Sequence, residues 1–189
     1  MAVALDRRKF TADEFERMAE AGILGENERV ELLDGEIVAM NPIGPNHAWR
    51  VNDLADAFAP LRDRVIIAVQ NPVRVHEHWV PQPDIALIAR GAARGRHPRP
   101  EDILLVVEVA ASSLAVDRDV KTPQYGIAGI PETWILDVDA ERLLVHREPS
   151  PIGYALVRIY GRGDIVQPLF APNFGVDVDA ILGPNDTSE

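Results

Sequence analysis

Three side chains within the stretch from Pro83 to Asp137 have the types that can gather around a divalent metal ion: Asp84, Glu108 and Lys121. The run Ile103-Leu104-Leu105-Val106-Val107-Glu108-Val109-Ala110 is apolar, rich in β-branched residues and almost unbroken, which predicts a strand buried on both faces. An ionised carboxylate in such a strand is costly unless a cation, a metal or a set of hydrogen bonds offsets it, so Glu108 implies a partner. Asp84, at the entrance of the preceding strand, and Lys121, on a following helix, are the candidates. Each residue alone has an ordinary alternative. A Pro-Asp pair is a common turn device, Glu108 can form a structural ion pair with Lys121 or an arginine, and Lys121 can snorkel over apolar neighbours on an exposed helix. Taken together they favour one shared polar site. Composition adds a hint, because the chain has only Lys9 and Lys121 against 17 arginines. Where arginine is the default cation, a lysine suggests a need for a compact ammonium whose pKa can shift.

The elements that must position these residues are legible along the chain. Thr11-Ala12-Asp13-Glu14 has capping-box spacing, with Phe10 and Phe15 placed for a hydrophobic staple, and predicts a helix from about Ala12 to Ala21 stopped by Gly22. Arg29 to Leu33 and Glu36 to Met40 flank Asp34-Gly35, a type I′ hairpin signal, with Glu31 central in the first arm. From its residues alone Glu31 reads as a solvated strand residue paired with an arginine. Apolar positions from Val51 to Leu61 follow helical spacing, with Asn46 as the expected cap and Pro60 either ending or kinking the helix. His47 then lies in the first turn, pointing to solvent or across to the hairpin.

Val65 to Val69 and Val73 to Val75 read as strand interrupted at Asn71-Pro72, and His76 to Trp79 as a turn in which His76 and His78 are more simply hydrated than metal-bound. Strands at Asp84 to Ala89 and Ile103 to Ala110 follow. Next comes a helix from Asp117, its expected cap, to Ala128, in which Pro123 either removes one backbone bond or marks a restart after Thr122. Glu132 to Val138 returns as a strand, Arg142 to Arg147 and Tyr154 to Tyr160 as a closing antiparallel pair, and Asp177 caps a last turn through Leu182. Tyr125 and Trp134 read as core aromatics with a polar tip. Residues 183 to 189 read as a frayed tail.

At 189 residues and 47% hydrophobic content the chain suits a single domain with a core over about residues 10 to 182. Without cysteine it has no disulfide framework and fits a reducing compartment, and it carries neither a long apolar N-terminal run nor a membrane-spanning segment, so a cytoplasmic protein is expected. The net charge of -11 disfavours non-specific binding to polyanions, so any nucleic-acid contact must be local. The local exception is the acid-free stretch holding Arg90, Arg94, Arg96, His97 and Arg99, which follows the strand begun by Asp84 and is the expected phosphate contact.

The joint pattern of Pro83-Asp84, Glu108-Val109-Ala110, Asp117-Arg118-Asp119-Val120-Lys121, Tyr125 and Gly129-Ile130-Pro131-Glu132-Thr133-Trp134-Ile135-Leu136-Asp137 resembles the Uma-two family, described as "putative restriction endonucleases", of the PD-(D/E)XK nuclease superfamily. The likeness extends back to Arg29-Val30-Glu31-Leu32-Leu33-Asp34-Gly35-Glu36 and His47. It implies a restriction endonuclease-like α/β (α+β) core, with a central mixed sheet flanked by helices and an added N-terminal helix and hairpin. It implies metal-dependent hydrolysis of DNA, with magnesium or manganese held by Asp84, Glu108 and the main-chain carbonyl of Val109. In the same pattern Glu31 completes the acidic set, Lys121 orients or activates the attacking water, and His47 sits at the rim. Homodimers are common in that fold family, so a homodimer is a further expectation. One departure stands out: the strand position that carries lysine in the superfamily motif is Ala110, so Lys121 must supply the ammonium from the helix. That departure and the acidic charge also admit a non-catalytic interaction module that keeps the fold and uses Glu108 and Lys121 as a structural pair.

Overall fold

The computed structural model describes residues 7–25, 28–111 and 113–184. Helix α1 (Ala12–Glu20) begins at the capping box: Glu14 N–H donates to Thr11 Oγ1, and Thr11 N–H donates to the Glu14 carboxylate. Phe10 and Phe15 share an apolar cluster with Leu32 and Val80. Strands β1 (Val30–Leu33) and β2 (Glu36–Ala39) form the hairpin, with Asp34 and Gly35 at φ +50° and +75°, the signs a type I′ turn requires. Leu32 and Val80 exchange two main-chain hydrogen bonds, at 3.2 and 2.8 Å, which docks the hairpin on the body of the protein. Because side chains alternate along a strand, Leu32 facing the α1 cluster turns Glu31 the other way, towards the main sheet.

That sheet has six strands in the order β3 (Val65–Val69), β4 (Ile85–Ala89), β5 (Ile103–Ala110), β6 (Glu132–Asp137), β7 (Arg142–Ser150) and β8 (Gly153–Tyr160). Only β5 and β6 run parallel; the other neighbours are antiparallel. A second small ribbon joins β9 (Ile165–Val166) to β10 (Val176–Asp177). Helices α2 (Pro45–Phe58) and α5 (Val178–Leu182) cover one face, packing Leu54, Phe58 and Ile181 against Leu87, Val107 and Trp134. The opposite face is covered through Tyr125, which packs with Ala86, Val106 and Ile130. The expected mixed α/β architecture is observed, with β4 and β5 adjacent.

Three local expectations are corrected. Asn46 does not cap α2; the helix begins two residues earlier than that cap implies, with Gly44 at the cap and Pro45 in the first turn, where a fixed φ and a missing N–H cost nothing. Val73 to Val75 are not a strand, because after Pro72 the chain folds back on itself: Val73 N–H donates to the Pro81 carbonyl and Val75 N–H to that of Trp79, at 2.9 and 3.0 Å. Asp117 is not a helix cap either. The helix starts at α3 (Leu114–Val116), widens through a π-type segment at Asp117–Lys121 and continues as α4 (Thr122–Ile127). Thr122 N–H reaches back five residues to the Asp117 carbonyl, and Pro123, lacking an N–H, sits where the narrower helix restarts. The tail expected to fray falls, from residue 185 onward, outside the described residues. No helix among the described residues is long and apolar enough to cross a membrane.

Helix α4 is seated against the β7–β8 turn by a close glycine contact. A Cβ at Gly126 would stand 2.3 Å from the Gly153 carbonyl oxygen, which is backbone and cannot rotate away. Gly126→Ala should therefore destabilise the fold by about 1–3 kcal/mol, as overpacking does. A denaturant midpoint equal to the parent's would show that α4 is free to shift, and with it the residues it carries.

Candidate active site

The site lies where β4 begins and β5 ends. Asp84 immediately precedes β4, so no residue of β4 is left to pair with Val109. Its own carboxylate takes that role: Val109 N–H donates to Asp84 Oδ2 at 2.8 Å, and Asp84 N–H donates in return to Glu108 Oε2 at 3.3 Å. The N–H and C=O of one strand residue project to the same side, so the Val109 carbonyl also faces Asp84. Glu108 projects to the face lined by Val106, where Tyr125 donates its hydroxyl to Glu108 Oε1 at 2.7 Å. The expected pair of adjacent carboxylates is therefore present, Glu108 oriented by the Asp84 N–H and Asp84 by the N–H of Val109, the residue after Glu108.

Lys121 completes the cluster from the π-type segment. Its Nζ donates to Glu31 Oε1 at 2.9 Å and stands 3.9 Å from Glu108 Oε1 and 3.8 Å from Asp117 Oδ1. Glu31 is not a solvated strand residue; it is 5% exposed, and its Oε1 also accepts from Gln82 N–H at 2.7 Å. Three carboxylates thus surround one ammonium, with Glu108 2% and Lys121 6% exposed, and Asp84 adjoins the group through Glu108. His47 points neither to solvent nor to the hairpin. It reaches from the first turn of α2 to Asp84 Oδ1 at 2.8 Å, and Gln70 donates to the same oxygen at 3.2 Å.

Burial and crowding decide the charges here. Burial pushes the Glu108 carboxyl well above its ordinary value; the Lys121 ammonium opposes that, while Asp117, Asp84 and Glu31 reinforce it. Asp117 is raised for the same reasons, with Lys121 and the Ser113 hydroxyl, at 2.5 Å, pulling back. Burial works to lower Lys121, but Glu108, Glu31 and Asp117 outweigh it and hold the ammonium above its ordinary pKa. The hydrogen bond to Asp84 raises His47, against its burial. Tyr125 is raised well above the usual phenol by burial and then by the Glu108 charge, so its hydroxyl stays a donor.

Among the described residues, no three Asp, Glu or His side chains converge as a ready-made metal cage. Each oxygen of Asp84 and Glu108 already accepts from a protein donor. The donor chemistry nevertheless suits a hard divalent cation. A carboxylate has about four acceptor positions, of which these contacts leave one on Asp84 and two on Glu108, and the Val109 carbonyl adds a third oxygen group on the same side. Buried Glu108 also needs more positive charge than one shared lysine supplies.

Sequence reasoning missed Asp117 and Gln70. Asp117 carried a usable signal, since four residues before Lys121 on a helix places the two side chains together. Gln70 carried none, because a left-handed φ of +50° at the end of β3 brings it to Asp84. The arginine-rich loop is a correction in the other direction. Arg90, Arg94, Arg96 and Arg99 follow the C-terminal end of β4, whereas Asp84 stands at its start. At about 3.3 Å per residue the loop begins roughly 20 Å from the carboxylates. It does not border the site.

The fold defines the class of domain, a mixed α/β domain with a central six-stranded sheet. A solved structure described as "a putative nuclease belonging to DUF820 from Anabaena variabilis ATCC 29413" superposes with a TM-score of 0.71 over 92% of this chain and 97% of that one. At 14% identity the likeness is one of fold. The profile of the Uma2 family, described as "Putative restriction endonuclease", matches residues 12–179, and the chain belongs to that family. The matched stretch contains Glu31, Asp84, Glu108 and Lys121. No curated protein matches the chain.

Proposed function

We propose that the protein is a metal-dependent endonuclease hydrolysing DNA phosphodiester bonds, with Asp84, Glu108 and the Val109 carbonyl as ligands for magnesium or manganese. The observation that carries this reading is the buried Asp84–Glu108–Lys121–Glu31 cluster at the β4–β5 end in a chain of this family. A bound divalent cation would supply Lewis-acid stabilisation of the phosphoryl oxygens and would lower the pKa of attacking water. Lys121 keeps its proton, held by three carboxylates, so its part is to orient the water or the phosphate by donating a hydrogen bond, not to act as base. Glu31 holds that ammonium in place. Tyr125 fixes Glu108, and His47 fixes Asp84 from the rim. The homodimer belongs to the same proposal and is read by light scattering. Purified protein should cut duplex, branched or single-stranded DNA in magnesium or manganese and not in chelator; no cutting of any of the three would sink the reading.

That every oxygen of Asp84 and Glu108 already accepts from a protein donor, with Ala110 at the strand position of the usual lysine, favours a second reading: a binding module that retains the fold without catalysis. Titration calorimetry separates the two. The nuclease reading expects a saturable divalent-ion site in the parent and at least a tenfold weaker one in Asp84→Asn, since a neutral amide gives up the ligand's charge. Absence of any ion binding to the parent favours the module.

A further inference from the structure

The arginine loop displaced from the site meets a second arginine segment at the far end of the sheet. Val65 pairs with Ala89, so Arg64 and Arg90 flank one strand pair, and Arg90 donates to the Arg62 carbonyl. Segments 62–64 and 90–102 together hold six arginines against three acids, in a chain whose net charge is -11. Of the six, Arg96 is ion-paired, to Asp102 at 2.7 Å. Arg62, Arg64, Arg90, Arg94 and Arg99 are exposed and have no carboxylate within 4.0 Å among the described residues. The excess of acid therefore lies elsewhere, including the three carboxylates around Lys121, and a polyanion is repelled by most of the molecule and attracted at this end.

We infer that this arginine end is a docking surface for the phosphate backbone of duplex DNA, separate from the cutting site and about six base pairs away from it. The inference rests on the nuclease reading for its choice of polyanion. The spacing follows from β4: roughly 20 Å between Asp84 and Arg90 equals about six steps of a duplex rising 3.4 Å per base pair. Strand β3, the outer strand of the sheet, links the two ends, with Gln70 beside Asp84 at one and Arg64 at the other. A duplex laid along this edge reaches both. Guanidinium groups supply bidentate phosphate contacts without reading base sequence, so the surface contributes affinity and register, not specificity.

The test measures binding apart from cleavage, by fluorescence anisotropy of duplex DNA in chelator over a range of salt. The variants are Arg90→Gln/Arg94→Gln and Arg62→Gln/Arg64→Gln, exposed changes that lose the hydrogen bonds of Arg90 to the Arg62 carbonyl and of Arg64 to the Phe170 carbonyl, so circular dichroism and melts are read beside the binding to show that the fold persists. Each pair should reduce the slope of log affinity against log salt by about 2, one for each lost phosphate contact. Duplexes extending fewer than about six base pairs to one side of the cut should show the same reduced slope with the parent. Slopes unchanged in both variants overturn the inference. So does loss of binding to phosphatidylserine vesicles by the variants when the parent binds no duplex, which would make the surface a membrane contact. A parent that binds duplex with this signature but never cuts in magnesium or manganese refutes the nuclease reading and leaves the surface intact; a parent that cuts while both variants keep the full slope does the reverse.

Discussion

Lys121→Met should cost about 3–5 kcal/mol of folding stability in chelator at neutral pH, the scale expected when one partner of a buried ionic cluster is removed. Methionine matches the stem of lysine in length and flexibility, so the loss is electrostatic, not a cavity. The variant leaves Glu31, Glu108 and Asp117 facing one another without their shared cation. The pH dependence follows from the direction in which each carboxyl is displaced. Glu108 and Asp117 already lie above their ordinary values of 4.5 and 3.8, and removing Lys121 raises them further. A carboxylate whose pKa is raised in the folded state binds more protons there than in the unfolded chain. Stability is then fully present below the unfolded pKa and is lost as pH rises through the folded one, by about 1.4 kcal/mol for each pH unit that separates the two values. The deficit of the variant should therefore be largest at pH 7 and smaller near pH 5. Saturating magnesium at pH 7 should also shrink it, because a divalent ion replaces the missing charge. Denaturant melts of parent and variant under these conditions decide the matter. An equal loss in chelator and magnesium, at pH 7 and near pH 5, would show that Lys121 is not coupled to the cluster, and its catalytic assignment would go with it.

The second large effect is on catalysis. Glu108→Gln should lower metal-dependent cleavage by on the order of 10³-fold or more, about 4 kcal/mol of transition-state stabilisation, because the amide is a poor ligand for a hard cation. The substitution is nearly isosteric, and Tyr125 can still donate to the remaining carbonyl oxygen, so the fold should persist. The Asp84 N–H loses a carboxylate acceptor, while a buried negative charge disappears, and these act in opposite directions on stability. Cleavage rates across a magnesium series, read beside circular dichroism, separate loss of chemistry from loss of fold. Parent-like cleavage by a well-folded Glu108→Gln protein removes Glu108 from the reaction.

Much of this molecule follows from local rules that operate within a few residues. The α1 capping box, the Asp34-Gly35 hairpin, the buried β5 run and the Asp177-capped α5 each depend on backbone and side-chain preferences that act before any distant contact forms. Glu108 is legible as needing a partner because a carboxylate in a strand buried on both faces is costly; the residue types offer Asp84 and Lys121 as those partners, and family resemblance adds Glu31. Tertiary structure decided which atoms meet. Docking of the hairpin on Val80 brings Glu31 to Lys121 across 90 residues, and no period or motif encodes that distance. The helix begins ahead of Asp117 and buries both Asp117 and Lys121 in its π-type segment, where a plain reading makes Asp117 a cap. The arginine loop shows the opposite limit. Nearness to Asp84 along the chain suggested nearness in space, but a strand is extended and separates what lies at its two ends by its full length. The sequence therefore carries the candidate chemistry of this protein in its residue types, whereas the direction of β4 sets the carboxylate cluster and the arginine segments at opposite ends.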